Sequence, residues 1–189
     1  MALLSLKIGS PDKNRKSRLL VKALRHQPDI LGLSLDERGW VNVSDVLKSL
    51  GINKSTLDTI VETNDKKRFE YSKDERKIRA SQGHSIQKLE VFKDWDIFIP
   101  TGYLYHGTAT HTVSPIMKSS LVSKSRTHVH LSKDTDTATN VGKRHGTPVI
   151  LQIDAVRMYA DGFNFYESKN GVVLVDEVPS KYIKLDWSS

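Results

Sequence analysis

Four short segments of the chain combine arginine, histidine and small residues in ways that suit the binding of a phosphate or a ribose. The first is Leu24-Arg25-His26, at the end of a predicted helix just before Pro28. The planar guanidinium of arginine matches two phosphate oxygens, and histidine can donate to one of them. Cations at a helix C-terminus are also favoured by the helix dipole, which leaves a purely structural role for Arg25 and His26 open.

The second segment runs from Ile78 to Ser85 and contains one arginine and one histidine. Apolar neighbours on both sides of Arg79 predict an arginine held near the edge of a strand. Gln-Gly-His-Ser then supplies a sharp turn with several hydrogen-bond donors, so Arg79 and His84 are candidates for contacting an anion. An ordinary hairpin turn with polar residues has the same pattern.

The third segment, Tyr105-His106-Gly107-Thr108, follows a predicted strand. A glycine there is expected to let a ligand approach the main chain, with His106 and Thr108 as donors to its hydroxyl groups. The chain contains neither a Walker loop nor a dinucleotide-binding fingerprint, and three residues of this kind occur by chance in many proteins.

The fourth segment runs from Arg126 to Ser132, where strand alternation places Arg126, His128 and His130 on one face. Such a row predicts either the polar wall of a ligand cleft or a solvent-facing strand. His128 and His130 are also two apart, as some metal ligands are. No third ligand follows at a recognisable spacing, so we predict no metal site.

The elements that must position these segments fall into two groups. Periodicity predicts helices over 17–26, 45–50 and 56–64, a hairpin over 33–41 with its turn at 37–39, and strands over 69–72 and 77–80. Three short helices with a small hairpin predict a winged-helix-like lobe, a common nucleic-acid platform. The second group has strands over 103–106, 128–131, 149–153, 163–165 and 172–175, with helices over 112–119 and 135–141. We therefore predict an α+β protein with lobes over 1–95 and 96–189 and a cleft between them.

Charge favours a polyanionic partner, since the net charge is +7 and the pI about 9.5. Residues 1–100 carry 19 Lys and Arg against 14 Asp and Glu, whereas residues 101–189 carry 10 against 8. A nucleic-acid contact is therefore expected in the first half, although a basic charge that only maintains solubility remains an alternative.

Composition excludes several classes. The absence of cysteine excludes disulfides, thiolate metal ligands and a cysteine nucleophile. No apolar run approaches the ~18 residues that span a bilayer, and residues 1–10 lack the basic region of a signal peptide. We expect no membrane association and a cytoplasmic location, or a nuclear one in a eukaryote.

Seven motifs follow one another along the chain: Leu-Arg-His, Gly-Trp-Val, Ile-Arg-Ala-Ser-Gln-Gly-His-Ser, Tyr-His-Gly-Thr, His-Val-His-Leu-Ser, Val-Gly-Lys-Arg-His-Gly and Phe-Tyr-Glu-Ser-Lys-Asn-Gly-Val. Each motif is short, but seven in this order are specific. From about Ser17 to Ile183 the chain resembles the RNA (tRNA) 2′-phosphotransferase family.

The resemblance implies a winged-helix-like RNA lobe, an ADP-ribosyltransferase-like lobe and an active site in the cleft between them. It implies NAD as a consumed co-substrate and no metal. The implied substrate is RNA with an internal 2′-phosphate, such as a tRNA splice junction. This phosphate first displaces nicotinamide from NAD, and the ribose 2″-hydroxyl then attacks it. The products are 2′-hydroxyl RNA, ADP-ribose 1″,2″-cyclic phosphate and nicotinamide. We expect a monomer.

The same resemblance implies roles for individual residues. The catalytic residues would be Arg25, His26, Arg79 and Arg126, and the RNA phosphate would be bound by these four and by His84. Fixed guanidinium donors would stabilise the charge that develops on the phosphate. His26 would donate to the phosphate or move a proton from the attacking hydroxyl. The NAD contacts would be His106, Gly107, Thr108, His130 and Ser132.

Two positions depart from the family pattern, Ser120 before Leu121 and Val173 in the Asn-Gly-Val strand, and both concern packing. The strand that carries a glutamate in many ADP-ribosyltransferases has none here, and Glu167 nearby is not assigned to catalysis. Two alternatives remain. One is an enzyme that transfers ADP-ribose to terminal phosphates of nucleic acids, and the other is a non-catalytic RNA-binding module.

Overall fold

The computed structural model describes residues 11–186, and these form two compact units. The first unit ends at Val91 and the second begins at Phe92; the boundary expected from sequence, between residues 95 and 96, lies four residues further along. Both units contain helices and strands, so the fold belongs to the predicted α+β class. None of the helices within residues 11–186 has the length and apolar character that a bilayer-spanning segment needs.

The first unit consists of three helices and a three-stranded antiparallel sheet. The strand order is β1-β3-β2. The helices are α1 (Pro11–Arg25), α2 (Val43–Leu50) and α3 (Lys54–Glu62), and the strands are β1 (Val41–Asn42), β2 (Phe69–Tyr71) and β3 (Lys77–Ala80). Helix α1 buries Leu20, Ala23 and Leu24 against the sheet and the other two helices. It ends at Arg25, before Gln27-Pro28, as predicted, because the residue before a proline is pushed out of the helical region.

The predicted hairpin over 33–41 is wrong. Within it only Val41 lies in a strand, and β1 pairs with Ile78 and Lys77 of β3. The apolar residues before it, Leu33 among them, pack on the core from an irregular segment, so their alternation reflects burial without a partner strand. The turn at 37–39 does form, since the Asp36 carboxylate accepts hydrogen bonds from the amides two and four residues further on.

The second unit has two main antiparallel sheets, with strand orders β4-β9-β10-β7 and β12-β8-β5, and a two-stranded pair β11-β6. Its strands are β4 (Asp96–Ile97), β5 (Leu104–Ala109), β6 (Ser120–Val122), β7 (Val129–Leu131), β8 (Pro148–Ile153), β9 (Tyr166–Glu167), β10 (Val173–Val175), β11 (Glu177–Pro179) and β12 (Ile183–Asp186); its helices are α4 (Thr110–Lys118), α5 (Thr135–Gly142) and α6 (Ala155–Ala160). The two main sheets meet where Tyr105 and Ser132 exchange backbone hydrogen bonds of 2.9 and 2.7 Å. The end of β7 therefore lies beside β5.

One predicted strand of the second unit is misplaced, and one helix was not predicted. Phe165, expected in a strand over 163–165, is a fully buried core residue, and pairing begins only at Tyr166. Helix α6 follows Asp154, whose carboxylate accepts a hydrogen bond from the Arg157 amide. Such a cap is a recognisable helix start, but the helix is only six residues long.

Candidate functional site

Four of the predicted site residues come together in the first unit: Arg25, His26, Arg79 and His84. We call them the cationic cluster. Arg25, Arg79 and His84 are buried, with 8%, 2% and 2% of their surface exposed, whereas His26 is exposed. Buried arginines are rare unless their charge is compensated, so the cluster is not a solvated helix end.

The turn after β3 attaches to the end of helix α1 through Ser85. The Ser85 amide donates to the Arg25 carbonyl at 3.0 Å, and the Ser85 hydroxyl lies 2.9 Å from Nδ1 of His26. Gly83 has a φ of +85° and passes so close to the Arg25 guanidinium that a methyl group there would lie 3.3 Å from Cζ. A glycine therefore provides both the turn and the space for the guanidinium.

Arg79 is held from three sides. Its Nε donates to Oε1 of Glu70 at 2.7 Å, and its Nη1 donates to the Arg38 carbonyl at 3.0 Å. Its Cζ lies 4.1 Å from the ring centroid of Trp40, within the range of a cation–π contact. These contacts fix the orientation of the guanidinium before any ligand arrives.

The residues predicted from the sequence did not include Glu70, Trp40 or the Arg38 carbonyl. Glu70 lies directly opposite Arg79 in the β2–β3 pair, and opposite charges at such positions stabilise a sheet. This signal becomes visible only once the register is known. For Trp40 the only sequence signal was its place in the Gly-Trp-Val motif.

His84 is neutral in this environment. Burial, together with the positive charges of Arg25, Arg79 and His26, lowers the pKa of His84 to about 3. Its Nε2 atom and Oε1 of Gln82 are buried and have no hydrogen-bond partner within residues 11–186. Buried polar atoms of this kind beside fixed positive charge are expected where a polar ligand or water binds. The cluster thus has the composition of an anion site.

Three of the predicted residues are joined in the second unit. Nδ1 of His106 lies 2.9 Å from the His130 carbonyl, so it must donate, which leaves the lone pair of His106 on Nε2. Nη1 of Arg126 lies 2.9 Å from Nδ1 of His130, which must accept, so the proton of neutral His130 is on Nε2. Burial lowers the pKa of His106, although the hydrogen bond to the His130 carbonyl acts in the opposite direction. Two imidazoles with defined tautomers and an arginine therefore form one chain.

Gly107 and Thr108 are placed differently from the prediction. A methyl group on Gly107 would lie 1.7 Å from the Ala138 carbonyl oxygen of α5. The backbone of α5 therefore fills the space that the missing side chain leaves. The expectation that a ligand approaches the main chain from this side is wrong. Thr112 donates to the Ala109 carbonyl at 2.7 Å and so accepts from the Thr108 hydroxyl 2.5 Å away. The proton of Thr108 is used within the protein.

His128 does not form an open wall with His130. It is buried, with ring centroids 5.0 Å from Trp95, 5.7 Å from Phe92 and 6.4 Å from Tyr166. Tyr166 pairs with Leu174, and Leu174 pairs with His130. The side chains of His128 and His130 therefore lie on the same face of the sheet, as predicted. Aromatic rings cover this face at His128. Burial lowers the pKa of His128, against the attraction of Asp176. The described residues hold no group of three or more potential metal ligands.

The fold and these two groups of residues define an α+β protein with a buried cluster of arginine and histidine side chains in one unit and a histidine–arginine chain in the other. Residues 11–177 match the family described as RNA 2′-phosphotransferase, Tpt1 / KptA family. The chain is 48% identical over 173 residues to a probable RNA 2′-phosphotransferase of Flavobacterium johnsoniae, which covers 89% of this chain and 93% of that protein. Proteins of the same description from Trichormus variabilis and Pectobacterium atrosepticum are 47% and 43% identical, each over 89% of this chain and over 94% and 95% of their own length. The chain therefore belongs to the RNA 2′-phosphotransferase family, a family of transferases, which confirms the resemblance.

Proposed function

We propose that this protein is an NAD-dependent RNA 2′-phosphotransferase that removes an internal 2′-phosphate of the kind left at a tRNA splice junction. The observation that carries this proposal is the buried association of Arg25, Arg79 and neutral His84 beside exposed His26. Guanidinium groups fixed in a desolvated site favour a phosphate dianion, because its charge compensates theirs and its oxygens accept bidentate hydrogen bonds.

The folds of the two units support the same assignment. Three helices followed by a small antiparallel sheet support a winged-helix interpretation of the first unit, whose basic charge suits RNA. In the second unit, two antiparallel sheets that adjoin at β5 and β7 support an ADP-ribosyltransferase-like interpretation. We then assign RNA binding to the first unit and NAD binding to the second.

Two residues of β5 and β7, His106 and His130, are particularly suited to bind NAD. His106 offers an acceptor at Nε2 and His130 a donor at Nε2, which suits ribose hydroxyls and a carboxamide. Ser132 follows on the same strand end. Gly107 would contribute main-chain atoms only, and Thr108 only the lone pairs of its hydroxyl. When bound, NAD supplies the anomeric carbon that accepts the RNA phosphate and releases nicotinamide; no metal is required.

The protein's own residues then bind, orient and stabilise. Arg25 and Arg79 hold the oxygens of the 2′-phosphate, with His84 as a neutral donor or acceptor beside them. His26, aligned by Ser85, contacts the same phosphate. The guanidinium of Arg126 donates to His130. Its assigned role is to stabilise the negative charge that develops when the ribose hydroxyl attacks phosphorus. That attack forms a new P–O bond, breaks the bond to the RNA 2′-oxygen and returns a proton to this oxygen.

The direct test uses a short RNA with one internal 2′-phosphate, incubated with and without NAD. We expect NAD-dependent 2′-hydroxyl RNA together with ADP-ribose cyclic phosphate. Arg79→Ala should slow turnover about a hundredfold or more, since loss of one such donor costs roughly 3–4 kcal/mol in the transition state. Arg126→Ala, at an exposed position, provides a second variant that does not disturb a core.

Arg76→Ala serves as the control, because Arg76 is exposed in the same β2–β3 hairpin and its Nε lies 4.0 Å from Oδ2 of Asp74, too far for a strong ion pair. It should retain activity. Accumulation of ADP-ribosyl RNA by the wild-type protein would instead favour transfer without the second step. Unchanged RNA at every NAD concentration, with RNA still bound, would refute the enzyme and leave an RNA-binding module.

A further inference from the structure

Helix α1 carries exposed basic side chains on one face. Arg15, Arg18 and Lys22 are all exposed, and their spacing of three and four residues continues to exposed His26 of the cationic cluster. At 3.6 residues per turn these four positions lie within an arc of about 80°. The apolar residues of α1 that reach the core lie elsewhere around the helix. We call Arg15, Arg18 and Lys22 the basic stripe.

The charge of the stripe is not compensated by acidic side chains in the described part of the chain. Within residues 11–186 none of its three side chains forms an ion pair, whereas Lys16, on another side of the helix, pairs with Asp12 at 3.0 Å. With a rise of 1.5 Å per residue, Lys22 lies about 6 Å and Arg15 about 16 Å along the helix from His26. The stripe thus extends from the cationic cluster over the length of a few nucleotides.

We infer that the basic stripe binds the backbone phosphates of the RNA that flanks the 2′-phosphorylated nucleotide. This inference rests on the proposed function, since it takes the cationic cluster as the place of the 2′-phosphate. Evenly spaced cations match the regular charges of a nucleic-acid backbone. The buried apolar face of α1 leaves nothing on the stripe to insert into a membrane. Such contacts position the substrate without reading its sequence.

The first test measures the salt dependence of RNA binding without NAD, using an unmodified RNA long enough to follow the whole helix. The stripe variant is Arg15→Gln, Arg18→Gln and Lys22→Gln together, since glutamine keeps the helix propensity. Three lost contacts reduce the slope of log affinity against log salt by about 2, so between about 50 and 200 mM salt the wild-type protein should lose roughly 20-fold more affinity than the variant.

The control variant removes the same charge from scattered exposed positions, as Lys48→Gln, Lys118→Gln and Lys184→Gln together. It should keep the wild-type slope. An equal loss of slope in stripe and control variants would show that only net charge matters and would overturn the inference. A stripe variant with the wild-type slope would overturn it as well.

Turnover separates this inference from the proposed function. With a long 2′-phosphorylated RNA the stripe variant should show a raised KM and an unchanged kcat, whereas a 2′-phosphorylated trinucleotide, whose flanking phosphates reach only Lys22, should show a much smaller rise in KM. Equal KM values on the long RNA would overturn the inference while the enzyme stands. If the wild-type protein removes no phosphate at all, the proposed function fails, and the binding slopes still decide whether the stripe contacts RNA.

Discussion

His84 is expected to make the stability of the free protein depend on pH in a defined direction. Its folded-state pKa of about 3 lies well below the ordinary 6.5, because the imidazole is buried beside Arg25 and Arg79. A lowered folded pKa contributes stability that is complete above about pH 6.5 and is lost as the pH falls towards 3. Between pH 7 and pH 5 the unfolded chain gains a proton at His84 that the folded chain does not. This difference costs about 2 kcal/mol of the free energy of unfolding.

The assay is urea denaturation of the wild-type protein and of His84→Gln at pH 7 and pH 5. Lowering the pH should destabilise the wild-type protein about 2 kcal/mol more than the variant. His106 and His128, whose pKa values are also lowered, are present in both proteins, so their contributions cancel. A difference in stability between the variant and the wild-type protein at pH 7 does not affect this comparison.

The same prediction extends to the effect of bound inorganic phosphate on His84. A dianion between the arginines should reverse their effect and raise the pKa of His84, which NMR of the imidazole protons measures directly. In the phosphate-free protein His84 should not titrate between pH 5 and pH 8. A His84 that titrates near 6.5 in the free protein, or an equal pH effect in wild type and His84→Gln, would refute the reasoning.

Three further substitutions test the packing around the candidate residues. Arg79→Lys should reduce turnover nearly as much as Arg79→Ala, since an ammonium cannot bond Glu70 and the Arg38 carbonyl in the same fork; wild-type kcat would contradict this. Gly83→Ala strains a φ of +85° and presses on Arg25. Expressed as free energies, the resulting loss of kcat should exceed the loss of unfolding free energy; a loss of stability alone would argue for a structural turn. Gly107→Ala should cost about 1–3 kcal/mol or more in urea unfolding through its clash with Ala138, whereas Gly102→Ala, with open space around it, should be neutral.

Much of the secondary structure followed from local patterns. Helix α1 ends before Pro28, and the core strands β5, β7, β8 and β10 lie within a few residues of their predicted places. Proline geometry and side-chain periodicity act over a single turn or strand, so a sequence carries them without knowledge of the rest of the fold.

The errors came where a segment depends on distant partners. Residues 33–41 alternate like a strand, yet only Val41 finds a neighbour to pair with. The strand expected over 163–165 begins at Tyr166 instead, because Phe165 is taken into the core. Alternation reports which side chains are buried, and only the arrangement of neighbouring elements decides whether the backbone forms a ladder.

By itself, the sequence determined the α+β class, the family and the candidate residues Arg25, His26, Arg79 and His84, because their types and order are local properties of the chain. Only the tertiary structure decided how they are held. Glu70 and Trp40 fix Arg79, and α5 occupies the space beside Gly107. These contacts join residues far apart in sequence, and both the burial that keeps His84 neutral and the register that pairs Glu70 with Arg79 exist only in the folded chain.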